Sequence, residues 1–136
     1  MTSPSLETVR LFLHVIAAAV WVGGQVVLGA LVPTIRRTAP DALRLVARAY
    51  ARVAWPAFGV LVVTGVWNLL AIDVTALDSS QQATVLLHLA VGLLSGMFAA
   101  VHSYGNSKVA LAVGGALGLV TALGAMFLGV LAQSPA

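Results

Sequence analysis

Two histidines are the residues most able to do chemistry in this chain. His14 lies about five residues into one long apolar stretch and His88 about five residues into another. An ionisable side chain within a membrane span is costly, so it normally faces the protein interior or a cavity and is a candidate functional group. If the two stretches are parallel helices, both imidazoles lie at one depth, about one and a half turns below the same membrane surface. Equal depth is what a shared ligand needs. Two neutral imidazoles from facing helices would supply the axial ligands of a metalloporphyrin at ~2 Å. Heme b is therefore the expected cofactor, with copper or another metal ion held by His14 and His88 as the alternative. A third reading needs no ligand: His14 bonds His88 directly, or each bonds Asn68 or Thr84, only to join helices.

The residues around the histidines extend the heme reading. His14, Ala18, Trp21 and Gln25 follow three- and four-residue steps down one face; His88, Gly92, Ser95, Ala99 and His102 do the same on the other stretch. Such small faces allow either tight helix packing, as in the Gly92-x-x-x-Gly96 spacing, or room for a flat group beside Gly92 and Ser95. Trp21 and Trp67 are candidates to pack on a porphyrin, or packing and interface residues without one. Arg10, one turn outside His14, is placed to pair with a propionate, or to snorkel to the interface. Asn68, at a similar depth, is a candidate to hydrogen-bond the second nitrogen of an axial imidazole. His102, close to Tyr104 and Lys108, is expected at the cytoplasmic boundary in contact with water or headgroups.

Other chemistries lack residues. There is no cysteine, which excludes disulfides, thiolate metal sites and a cysteine nucleophile. The apolar stretches hold no Asp or Glu, so a carboxylate proton relay or hard-cation site has no evident ligands. Met1, Met97 and Met126 are the only methionines, which provides poorly for Cu(I). No nucleophile, base and orienting group can be assembled for hydrolysis, and no glycine loop resembles a phosphate site.

These residues are positioned by membrane helices. The 136 residues are 60% hydrophobic and 8% charged, too few polar groups to cover a soluble domain. With a mean hydropathy of +1.03, the chain reads as a single four-span transmembrane domain, 1–136, with spans near 9–32, 53–72, 83–104 and 109–132. None of the stretches alternates with period two, so the fold class is all-α: an integral membrane four-helix bundle rather than a barrel. The first stretch is too long for a signal-peptide core and is kept as a permanent span. Arg36, Arg37, Arg44, Arg48 and Arg52 lie between the first two spans, whereas Asp73 and Asp78 lie between the next two. The positive-inside rule then puts loop 33–52 in the cytoplasm of a bacterial-type cytoplasmic membrane, with Lys108 on the same side, Arg10 opposing, and both termini outside. The formal charge of +3 thus has a topological origin and does not call for nucleic acid.

Thr38-Ala-Pro-Asp41 has the spacing of a capping box, which would start helix two there and place Arg44, Arg48 and Arg52 along one stripe at the membrane surface. That stripe suits anionic headgroups, with an anionic ligand as the alternative. Pro56 marks a kink site. Gly114, Gly118, Gly124 and Gly129 suit close packing, inside the bundle or between copies in a homo-oligomer. Leu13-His14-Val15 and Leu87-His88-Leu89 are each followed by small residues; a duplicated helical hairpin or chance accounts for this short similarity.

The run Leu13-His-Val-Ile-Ala-Ala-Ala-Val-Trp-Val-Gly-Gly24 resembles the first-helix signature of the copper-resistance protein D (CopD) domain, which is distantly similar to the HemJ-type protoporphyrinogen oxidases. Arg52-Val-Ala-Trp-Pro-Ala-Phe-Gly-Val-Leu-Val-Val-Thr-Gly-Val-Trp-Asn68 looks like the family's second helix, and the similarity covers about residues 10–105. The resemblance implies a heme or metal ligand at His14. The third-helix lysine proposed as its counterpart is replaced by His88, and the C-terminal motifs associated with the oxidase are missing. The expected function is electron transfer or redox chemistry with a quinone or small molecule, an oxidoreductase if the chain is an enzyme. Copper uptake and a structural accessory subunit are the alternatives.

Overall fold

The computed structural model describes residues 3–133. It is all-α: four long helices, with no β-strand among the described residues. Helix α1 spans Leu6–Thr38, α2 Ala42–Leu70, α3 Ser79–Tyr104 and α4 Lys108–Gln133, and each is long and apolar enough to cross a membrane. The helices outrun the apolar stretches because hydrogen-bonded backbone continues into polar turns until something stops it. Ser5 begins α1 by a reciprocal cap, its hydroxyl accepting from Thr8 N at 3.2 Å while Thr8 Oγ1 accepts from Ser5 N at 3.3 Å. Asp78 begins α3 by accepting from the amides of Ser80 and Gln81 at 2.8 and 2.9 Å.

The expected capping box at Thr38 is not formed. Thr38 ends α1, donating its hydroxyl to Thr34 O at 2.9 Å, and α2 starts at Ala42, whose amide donates to Ala39 O at 2.9 Å. Pro40 explains the break: it has no amide proton and disfavours the helical region for the residue before it, and Ala39 sits at φ −150°, ψ 64°. Arg44, Arg48 and Arg52 do lie on the exposed early turns of α2, and the helix runs through Pro56 as one segment.

α1 contains a π-helical segment, Ala19–Gly23, that the regular three- and four-residue steps do not anticipate. Ala17, Trp21 and Val22 are buried around it while Ala18 and Gln25 are half-buried, so the inner stripe departs from the expected one.

The chain divides into two compact units, Met1–Asn68 and Leu69–Ala136. The first contains α1 and nearly all of α2; the second contains α3 and α4. Large apolar side chains, Phe12, Val63, Val120 and Phe127 among them, lie exposed on the helices, whereas the buried positions are mostly small. That is the distribution for a protein whose solvent is lipid, in which backbone groups are satisfied within helices and packing needs small residues.

In the second unit all four glycines expected to pack do so, against α3. A Cβ on Gly114 would stand 2.7 Å from His102 N and 2.9 Å from Phe98 O; one on Gly118 would stand 3.4 Å from Ala99 N. Gly124 and Gly129 face Val91 and the His88 ring. Gly114→Ala is expected to force α3 and α4 apart at a cost of about 1–3 kcal/mol, seen as a lower thermal midpoint in detergent. Gly124→Ala, whose new Cβ would meet Val91 Cγ1 at 3.6 Å, an ordinary contact, is expected to leave the midpoint unchanged.

Between α2 and α3, Asp73 caps the short 3-10 turn Val74–Ala76. The Thr75 hydroxyl and then the Thr75 amide, donating to Asp73 Oδ1 at 2.6 and 3.0 Å, hold its carboxyl below the usual value. A depressed folded pKa stabilises the turn above the unfolded value of ~3.9, and that contribution is lost as pH falls through the folded value. Thr75→Val is expected to move the Asp73 titration, followed by carboxyl NMR, back up toward the ordinary value.

Candidate functional site

The first unit builds a polar column between α1 and α2. His14 and Thr64 meet across the helix pair, with His14 Nδ1 2.8 Å from Thr64 Oγ1. Thr64 donates its one proton to Val60 O at 2.6 Å, as helical threonines do, so its oxygen accepts from the imidazole. His14 therefore carries its proton on Nδ1 and its lone pair on Nε2. Thr64, 3% exposed, was not among the residues singled out from the sequence, where Asn68 was offered for this contact. Two cues were available: Thr64 is one turn before Asn68 on the same face, and Gly65 follows it. A Cβ on Gly65 would meet His14 Cε1 at 3.6 Å.

One turn beyond this contact, toward the start of α1, stand Arg10 and Asn68. Arg10 precedes His14 by four residues and Asn68 follows Thr64 by four, so the antiparallel register puts them at one level. Arg10 Nε and Asn68 Oδ1 are both buried and have no hydrogen-bond partner among the described residues.

Two turns inward from His14, Trp21 is 4% exposed and packs on Trp55 and Phe58 of α2, with ring centroids 5.6 and 4.6 Å apart. Its carbonyl, within the π segment, accepts from Gln25 Nε2 at 3.0 Å and from Tyr50 Oη at 3.1 Å. Trp21 thus belongs to the packing of the first unit. Trp67 is exposed.

In the second unit the face His88, Gly92, Ser95 and Ala99 is turned toward α4 or buried. His88 Nδ1 is 2.7 Å from Ala125 O, a carbonyl that can only accept, so His88 has the same tautomer as His14. Gly92 faces Ala125, whose Cβ lies 4.0 Å from where a Gly92 Cβ would be, and Ser95 is 1% exposed. Of the two uses open to this small face, Gly92 serves helix packing. His102 is exposed, but it is tied across the hairpin rather than left to water or headgroups: its Nδ1 is 2.5 Å from Leu111 O. Thr84 donates to Ser80 O and is not the partner of His88 in this contact.

His88 and His102 use one device. Each reaches the carbonyl of a residue one turn before a glycine, Ala125 before Gly129 and Leu111 before Gly115, and a Cβ on that glycine would crowd the ring, at 3.0 Å from His88 Cε1 and 2.8 Å from His102 Nδ1. The glycine clears the way to a carbonyl already bonded within its helix. No group of three or more His, Cys, Asp or Glu residues suited to a metal ion occurs among the described residues.

No family model matches the chain, and no curated protein or solved structure matches it either.

Thr64→Val keeps the shape of the side chain and removes the acceptor of His14. It is expected to cost about 1–3 kcal/mol, read as a lower thermal midpoint in detergent, because a half-buried imidazole N–H loses this acceptor between apolar helices. Asn68→Leu removes a buried oxygen that has no hydrogen-bond partner among the described residues and is expected to leave the midpoint level or raise it.

Proposed function

We propose that the chain is a small multi-pass membrane protein that binds a b-type heme through Nε2 of His14 and Nε2 of His88 and transfers electrons to or from a small membrane-soluble molecule. The observation that carries this reading is the shared tautomer: in each unit an intramembrane imidazole gives its Nδ1 proton to a fixed acceptor on the neighbouring helix, which directs the basic lone pair to Nε2. An acceptor of that kind orients a ligating histidine and raises its basicity. Two neutral imidazole nitrogens, which this reading requires, suit low-spin iron. Heme, when bound, would supply a one-electron couple, and ligation by the two imidazoles of His14 and His88 would suit electron transfer rather than binding of oxygen.

The residues of the chain do the rest. Thr64 and the Ala125 carbonyl hold the ring planes, and Gly65 and Gly129 leave the imidazoles room. The resemblance of the segment around His14 to the CopD domain supports a metal or heme ligand there, and copper handling through the same two histidines is the reading it offers beside heme. The arginine-rich segment 33–52 supports a bacterial-type cytoplasmic membrane with both termini outside.

A reduced-minus-oxidised visible spectrum of the detergent-purified protein from heme-replete cells tests the proposal. A sharp low-spin b-type band at near-stoichiometric heme is expected, abolished by His14→Ala and by His88→Ala and kept by His102→Ala. A colourless protein, or a normal band in either of the first two variants, overturns it; bound copper in the colourless protein would favour copper handling.

A further inference from the structure

Arg10 and Asn68 leave a specific chemical demand at one end of the first unit. A guanidinium Nε–H can only donate and an amide oxygen can only accept, and both are buried, unpartnered and one turn from the His14 to Thr64 contact. Leaving two such atoms unmatched is costly in an apolar setting. A heme propionate, which is purely an acceptor, would answer Arg10 and leave Asn68 Oδ1 unmatched. A hydroxyl group answers both: its oxygen accepts from Arg10 Nε and its proton goes to Asn68 Oδ1. The level of the pair, near the start of α1 at Leu6 and the end of α2 at Leu70, is where the polar head of a membrane-soluble molecule would lie. Gly65, three residues before Asn68, leaves its space to the His14 ring, 3.6 Å from where its Cβ would be, so an imidazole lies one turn from the pair.

We propose that Arg10 and Asn68 form the head-group site of a quinol, gripping one ring hydroxyl with a donor and an acceptor. The proposal rests on the electron-transfer reading above and names its small-molecule partner. Because neither atom has a hydrogen-bond partner among the described residues, Arg10→Met and Asn68→Leu remove the grip without breaking a bond that they make.

The probe is heptyl-hydroxyquinoline N-oxide, a fluorescent quinol analogue, titrated against the full chain in detergent, with thermal midpoint and heme spectrum measured on the same samples. Saturable quenching is expected for the wild type, weakened about tenfold or more by each variant, as loss of a hydrogen bond to a buried group implies, with midpoints level or raised and heme content unchanged. Wild-type protein that shows the heme band but no saturable quenching overturns the quinol site and leaves the heme reading standing; saturable, variant-sensitive quenching in a protein without the band does the reverse. Variants that quench like the wild type overturn the site and point to an ordered water between the two atoms. Loss of heme on Arg10→Met with quenching retained overturns it in favour of a propionate contact.

Discussion

An imidazole placed between apolar helices must find an acceptor among groups that are already in use. Every carbonyl within a regular helix accepts from the amide four residues on, and its remaining lone pair is screened by the side chains around it. In the second unit this constraint is met by removing a side chain. Gly129 and Gly115 stand where a Cβ would collide with the His88 and His102 rings, and each histidine reaches the carbonyl one turn before the glycine. The histidines are fourteen residues apart on α3, and their acceptors are fourteen apart on α4. That interval is close to a whole number of helical turns, so one straight contact seam carries both.

The first unit meets the same demand differently. Its helices meet through bulk: Trp21 against Trp55 and Phe58, and His14 against a threonine hydroxyl rather than a backbone carbonyl. Thr64 can accept because it passes its own proton to Val60 O. The π segment at Ala19–Gly23 belongs to this solution. Such a segment disturbs the regular carbonyl ladder, and here the Trp21 carbonyl is bonded by Gln25 and, across the pair, by Tyr50. Gly24 is needed beside it because a Cβ there would run into the Tyr50 ring.

What the sequence made legible follows this division. Four helices were readable because about twenty apolar residues in a row admit few other structures in lipid. The packing role of Gly114, Gly118, Gly124 and Gly129 was also readable, since small residues at helical spacing leave a groove that a neighbour fills. Thr38 was misleading: its spacing to Asp41 imitates a cap, but Pro40 ends one helix before another can begin. The π segment has no compositional mark, because an added residue in a turn depends on which tertiary contacts reward it. Thr64 and the Ala125 carbonyl were not singled out for a related reason. A hydroxyl in an apolar run reads as a minor polar interruption until its helix is seen opposite His14, and a backbone acceptor has no sequence signature except the glycine that exposes it.

The similarity between Leu13-His14-Val15 and Leu87-His88-Leu89 can be judged by what the two histidines do. In both units the histidine of the first helix donates through Nδ1 to the second helix of the same unit, so the polarity of the contact is shared. The acceptor differs, and packing accounts for the difference. Where α3 and α4 approach through glycine, a main-chain carbonyl is within reach; where α1 and α2 are held apart by indole and phenyl rings, a side chain must bridge the gap. The two imidazoles therefore share a tautomer but differ in partner: His88 is held by the backbone itself, and His14 by a buried threonine whose oxygen accepts because its own proton is bonded to Val60 O.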